Sequence, residues 1–216
     1  MPEREGWQPS AEVLAWQMNG RLNAPLRNLP ALYQLWCTLQ LFDELLAAAV
    51  EAGYALVEQR LVRRHRHEGF VRLIPDGKPM LIMRHPDSGC VIRVIPERTY
   101  GREGKLRRLS FPQRPDIAIE VKRPGEPMAV YLFDPKYKLD SEQGAEPHEG
   151  KPKKVDIDKM HAYRDAIRDA GGSRVVQYAA VMYPGPTCRY GPGVEALHAV
   201  PGTAGSEPWL LEQMLQ

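Results

Sequence analysis

The chain has 216 residues, with 29 Lys and Arg against 27 Asp and Glu and a formal net charge of +2, so it is no uniformly basic histone-like protein and any attraction for nucleic acid must come from local clusters. No stretch approaches the ~18 uninterrupted apolar residues of a membrane span, and the opening Met1-Pro2-Glu3-Arg4-Glu5 lacks the basic-then-apolar pattern of a secretion signal. Cys37, Cys90 and Cys188 are scattered and odd in number, offering neither a disulfide framework nor paired zinc-site spacing; reduced thiols and a cytoplasmic location are the expectation.

Residues 1–28 read as an irregular polar N-terminal segment, with a short helix over 11–18 docked by Trp7 and Trp16, and residues 29–216 read as one domain long enough to bury a sizeable core. Leu32, Leu35, Trp36, Leu39, Phe42, Leu46 and Ala49 recur at helical spacing up to Gly53, predicting a long amphipathic helix packed on a sheet. Strands are then predicted over 55–62, 70–74, 80–84 and 91–95, separated by turn signals such as Pro75-Asp76-Gly77-Lys78 and Pro86-Asp87-Ser88-Gly89. Two basic clusters accompany them. Arg60, Arg63, Arg64, His65, Arg66 and His67 suit either phosphate contact or a charged, solvated hairpin edge. Arg98, Arg102, Lys105, Arg107, Arg108 and Arg114 lead directly into the next strand, where phosphate contacts would confer affinity without sequence information.

That strand and its successor hold the most telling residues. Residues 114–121 carry Asp116 before Ile117, Ile119 and Val121, and residues 130–138 carry Asp134 and Lys136 after Val130, Leu132 and Phe133. Side chains alternate along a strand, so Asp134 and Lys136 share a face while Phe133 and Tyr137 take the other. A hairpin through 122–129, which contains two prolines and a glycine, would set Asp116 beside Asp134. Two carboxylates and an ammonium would then converge. Carboxylates are the preferred ligands of Mg²⁺, which keeps waters and takes only one or two of them plus substrate phosphate oxygens; Mn²⁺ can substitute. A lysine beside such an ion can orient water or offset charge at phosphorus. Charged strand residues are commonly just solvated on an exposed face, but these sit in apolar runs, where an unpaired carboxylate is costly. Glu120 shares the face of Asp116 and could be another ligand or pair with Lys122 or Arg123.

Residues 139–155, rich in Gly, Pro and charge, read as a loop near this group, either ordered by metal and DNA or simply disordered. A helix is predicted over 156–170, with Asp156 as N-cap and Gly171-Gly172 as the stop. Lys159 and Tyr163 share one of its faces, placing an ammonium to reach a phosphate and a ring to brace or stack, while His161 and Arg164 could pack or bind the backbone. A buried strand over 174–183, another over 194–200 and a last helix over 208–215 complete the chain. No Gly-x-x-x-x-Gly-Lys-(Ser/Thr) loop is present, so a nucleotide-driven motor would have to be another protein.

At Pro115-Asp116 and Asp134-Pro135-Lys136 the chain resembles the PD-(D/E)xK nuclease superfamily, and within it most resembles nuclease domains related to McrC, the cleaving subunit of modification-dependent restriction systems. Lys159-Met160-His161-Ala162-Tyr163 falls where RecB-type relatives carry a helix with a Gln-x-x-x-Tyr motif, Lys159 standing for the glutamine, and the resemblance runs over about residues 30–200. It implies an α/β fold of restriction-endonuclease type: a central mixed sheet with the first core helix on one side, the helix bearing Asp156 on the other, and additional β-hairpins. It further implies Asp116 and Asp134 as metal ligands, Lys136 as the catalytic lysine, Mg²⁺ as cofactor and DNA as substrate. Lys159, Tyr163, Glu120 and Gln34 are accessory candidates, and a separate NTP-driven motor subunit is the expected partner. Relatives often carry an acid on the first core helix where this chain has Gln34, a weaker contributor of negative charge. Asp43, seven residues after Trp36, is an alternative source, or else a capping or pairing group. Gln34 and Lys159 also motivate the rival expectation of a nucleic-acid-binding or scaffold subunit that has kept the fold and lost cleavage.

Overall fold

Two adjacent strands that are apolar on both faces must be covered on both faces, and that requirement organises the molecule. A computed structural model describes residues 29–60, 62–65, 68–71, 77–137, 150–202 and 214–215. The expected helix over 11–18, the residues Arg66 and His67, most of the 139–155 loop and all but two residues of the last helix lie outside the described residues. Helix α1 (Leu29–Glu51) leads to β1 (Ala55–Gln59), β2 (Val62–His65), β3 (Glu68–Val71), β4 (Leu81–Arg84), β5 (Val91–Pro96), β6 (Leu106–Arg108), β7 (Ile117–Lys122) and β8 (Met128–Pro135). Then come α2 (Lys154–Ala166), β9 (Ile167–Asp169), β10 (Val176–Tyr183), β11 (Cys188–Gly191) and β12 (Val194–His198).

Among the described residues, eight strands form one mixed sheet in the order β1-β4-β5-β7-β8-β10-β12-β11. Neighbours from β1 to β8 are antiparallel, β8, β10 and β12 run parallel, and β11 closes the edge antiparallel. β7 and β8 form the expected hairpin, with Ile117 opposite Phe133 and Lys122 opposite Met128. Alternation then sorts their side chains. Ile117, Ile119, Val121, Tyr131 and Phe133 join Cys37, Leu41, Phe42 and Leu45 in the core beneath α1. Ala118, Val130 and Leu132 face the other way, joining Ile157, Met160 and Tyr163 beneath α2. Even-numbered positions of this hairpin therefore look toward α2, and that parity positions Asp116 and Asp134.

Several expectations need correction. The buried seam of α1 is Tyr33, Cys37, Thr38, Leu41, Phe42, Leu45 and Ala49, whereas Leu35 is exposed and Trp36 only half-buried. Apolar residues surround almost the whole of this helix, so hydropathy could not select the side that meets the sheet, and small Cys37 and Ala49 allow close approach there. Asp43 points to solvent, away from both acids. The second helix begins at Lys154 behind an N-cap at Lys153 that makes no side-chain cap bond, and Asp156 lies within the first turn, where a negative charge still suits the helix dipole. It stops at Ala166 rather than at the glycine pair, because buried, β-branched Ile167 turns extended and pairs with β6. The strand expected over 55–62 is divided into β1 and β2, and β2 pairs with β3 as a separate ribbon.

Ile119 lies at the centre of the sheet with no exposed surface. Ile119→Ala should cost about 2–5 kcal/mol of folding stability, read as a lower denaturation midpoint at unchanged slope.

Candidate active site

Extending the β7–β8 register by one residue sets Asp116 opposite Asp134 on the α2 side of the sheet. Lys136, two residues beyond Asp134, follows it on that side, and its backbone N–H donates to the Met182 carbonyl at 2.8 Å, prolonging the ladder to β10. The Lys136 ammonium bridges the two acids: Nζ lies 2.7 Å from Asp134 Oδ2 and 3.3 Å from Asp116 Oδ2. From above, α2 lowers Lys159, whose Nζ lies 3.1 and 3.2 Å from Asp134 Oδ1 and Oδ2. Asp134 has no exposed side-chain surface, and both its oxygens accept from ammonium groups. The structure thus brings together Asp116, Asp134, Lys136 and Lys159.

Tyr163, one turn after Lys159, lies with its ring 5.3 Å from that ammonium and donates its hydroxyl to the Arg114 carbonyl at 2.9 Å. Burial, then the charges of Asp134 and Asp116, push its ionisation upward, so it stays a neutral donor. Its bond clamps the chain two residues before Asp116. A second clamp comes from Glu97, whose N–H donates to the Asp116 carbonyl at 2.8 Å while its carboxylate pairs with Arg114. Glu97 adopts φ 49°, an uncommon conformation for a side chain other than glycine, held at this corner by both contacts. Neither Glu97 nor its pairing with Arg114 leaves a periodic trace in the sequence; the only signal is a charged pair flanking the acidic strand.

Glu120 is a pairing group: it lies 3.2 Å from Arg98 Nε and 3.4 Å from the Tyr100 hydroxyl, not on Lys122 or Arg123. Gln34 lies on α1, across the sheet from the acids, and its half-buried side chain makes no hydrogen bond among the described residues. The first turn of α1 nevertheless reaches the end of β8, since Tyr33 meets Tyr137 at 5.5 Å between ring centroids. Arg164 donates to the Pro192 carbonyl and braces the turn between β11 and β12, and His161 is exposed. Sequence reasoning gave Asp156 to the helix cap alone. It is half-buried one turn before Lys159, and its carboxyl is raised by burial, lowered by Lys136 and raised by Asp134, which places it in the electrostatic reach of this group.

Burial and the closeness of the two acids dominate the electrostatics of the site, with the two lysines acting against them. Burial first, then the charge of Asp134, push the Asp116 carboxyl from 3.8 to about 6, against the pull of Lys136 and Lys159. Burial works to lower the Lys136 ammonium, but Asp134 and Asp116 outweigh it and carry its pKa above the ordinary value. Among the described residues no group of three or more His, Cys, Asp and Glu could hold a metal ion. The donors are two facing carboxylates, which suit a hard cation that completes its shell with water and phosphate oxygen, and do not suit a closed zinc site. An ion entering here would have to draw at least one ammonium off Asp134.

A family model of the PD-(D/E)XK nuclease superfamily matches residues 31–187, nearly three quarters of the chain. This chain belongs to that superfamily: it is a nuclease-family protein with the restriction-endonuclease-like fold, of a kind that generally uses divalent metal ions. No curated protein and no solved structure matches it. Among the described residues no helix is long and apolar enough to cross a membrane.

Between about pH 3.8 and 6 the folded protein holds on Asp116 a proton that the unfolded chain releases, so this group's contribution to stability is present below pH 3.8 and is lost as pH rises to about 6. Without added metal, Asp116→Asn should therefore gain on the wild type across that window by up to ~3 kcal/mol, checked by urea denaturation at a series of pH values; equal pH dependence of the two proteins would refute the assignment.

Proposed function

We propose that this protein hydrolyses DNA phosphodiesters with a divalent cation held by Asp116 and Asp134, Mg²⁺ being the natural ion and Mn²⁺ a substitute. The observation that carries this reading is the buried Asp134 carboxylate facing Asp116 across a single lysine ammonium. When bound, the cation supplies an acidified water and neutralises charge on the phosphate. Asp134 in β8 and Asp116 immediately before β7 fix its place, the backbone of both being tied into or against the paired strands. Lys136, freed from one of its two partners, orients the water or stabilises the charge that develops at phosphorus. Lys159 turns from Asp134 toward a phosphate oxygen, and Tyr163 holds both its own helix and the approach to Asp116. Two ammoniums already balance two carboxylates, so a divalent ion leaves the centre net positive toward a polyanion.

The wider setting follows the resemblance to McrC-related nucleases. The working unit is residues 29–216, preceded by the 1–28 segment. It acts in the cytoplasm as the cutting subunit or domain of a restriction or defence system, and a separate NTP-driven motor subunit brings it DNA. One observation favours a second reading, in which the fold binds nucleic acid and cleaves weakly or not at all: both Asp134 oxygens are occupied by ammonium groups, and Gln34 brings no further negative charge.

Plasmid cleavage with Mg²⁺ or Mn²⁺ separates the two. On the first reading wild type cuts and is stopped by EDTA, Asp134→Asn abolishes cutting while DNA binding persists, and Lys136→Ala slows it about 10²–10³-fold. Binding without cleavage by the wild type and both variants supports the second.

A further inference from the structure

The segment between β6 and Asp116 presents apolar surface in a way that folding does not explain. Leu109, Ser110, Phe111 and Pro112 are consecutive and exposed, with Phe111 79% and Leu109 66% accessible. Contiguous exposed apolar surface, unlike a single exposed side chain, commonly marks a contact surface. The backbone beneath it is tied at both ends. Leu109 N–H donates to the Ala166 carbonyl at the end of α2 at 2.9 Å, and Tyr100 and Gln113 exchange backbone bonds of 2.8 and 3.4 Å. Gln113 Nε2 returns to the Phe111 carbonyl at 3.0 Å, and the next residue, Arg114, is the one clamped by Tyr163. The ring is thus held out on a fixed support.

Its surroundings choose the occupant. From Gly104 to Pro115 the sequence contains Lys105, Arg107, Arg108 and Arg114 and no acidic residue, and Lys105, Arg107 and Arg114 are exposed. An aromatic ring among cations, leading into the candidate centre, complements a strand that carries phosphates on one side and base faces on the other. Phe111 lies five residues before Asp116, at most ~17 Å of extended chain. That is about five base-stacking rises. In an intact duplex the base faces are covered by their neighbours, so a ring can stack only where bases are unpaired.

We infer that Phe111, supported by Leu109, is a stacking platform for an unpaired base near the scissile phosphate, and that the substrate of this site is nucleic acid with a single-stranded portion, such as a fork or an overhang. The inference rests on the nuclease reading above and adds the substrate class to it.

The test uses the full chain, in EDTA for binding and in Mg²⁺ for cleavage. Two fluorescent DNAs are compared, a blunt duplex and the same duplex with a splayed single-stranded arm carrying 2-aminopurine. Wild type should bind the forked DNA about tenfold more tightly than the blunt one, with a change in 2-aminopurine emission. Phe111→Ala should bring that ratio near one and remove the emission change; Phe111→Trp should keep both, and Val57→Ala, exposed on distant β1, should match the wild type. Because Phe111 is exposed, Phe111→Ala should melt as the wild type does, so loss of the preference cannot be ascribed to unfolding. Equal affinity of wild type for the two DNAs, or an undiminished preference in Phe111→Ala, overturns the inference, and the latter result would leave this patch to a protein partner. The nuclease reading stands or falls separately, on whether Asp134→Asn abolishes cleavage in Mg²⁺.

Discussion

A carboxylate removed entirely from water is destabilising unless other charges and donors replace its hydration, and Asp134 is in that position. Lys136 and Lys159 provide the replacement from two directions, one from its own strand and one from a helix on the layer above. Both lysines keep roughly a third of their side chains accessible, so the pair of ammoniums closes the acid off from solvent while remaining able to move. The rest of the arrangement depends on this contact. It fixes the height and rotation of α2 over the sheet, and through Tyr163 and Arg114 it also fixes the entry to β7, where Asp116 stands.

The sheet makes such a contact attainable. β7 and β8 are buried on both faces, so a charge at Asp134 could not escape into solvent by a small shift. The parity of the hairpin sends the acids toward α2 and the large apolar side chains of β8 toward α1. A slip of β8 by one residue would reverse its faces, burying the Asp134 carboxylate under α1 among leucines, and this makes the observed register strongly preferred. The centre is consequently built on rigid elements, with Glu97 and Tyr163 as outer braces.

The portion of this that the sequence made legible is the local portion. Asp134 lies in β8, Asp116 immediately before β7 and Lys136 immediately after β8, two strands joined by a short connection, and a period of two extended along each is enough to align them. Lys159 and Tyr163 were legible as a helical pair, though only the tertiary structure shows that the Lys159 ammonium reaches Asp134 itself. Other features needed the third dimension. α1 is apolar nearly all round, so its periodicity fitted a ridge that includes Leu35, which in fact turns outward, while Trp36 on the same ridge packs only partly against the core. Ile167 continues a plausible helical pattern until its pairing with β6 draws it into a strand. β11 is a short edge strand with exposed Arg189 and Tyr190 and so lacks apolar alternation. Asp156 resembled a cap because Asp is common there, and its nearness to the charged group depends on where α2 docks.

The central claim is that Asp116 and Asp134 form a divalent-cation site from which an ammonium must withdraw. Crystals soaked in Mn²⁺ and examined by anomalous scattering test it most directly. The account predicts a single strong peak about 2.1 Å from an oxygen of each carboxylate, with Lys136 or Lys159 displaced from Asp134. At saturating Mn²⁺, a blank map between the two acids with both ammoniums still seated on Asp134 would contradict it.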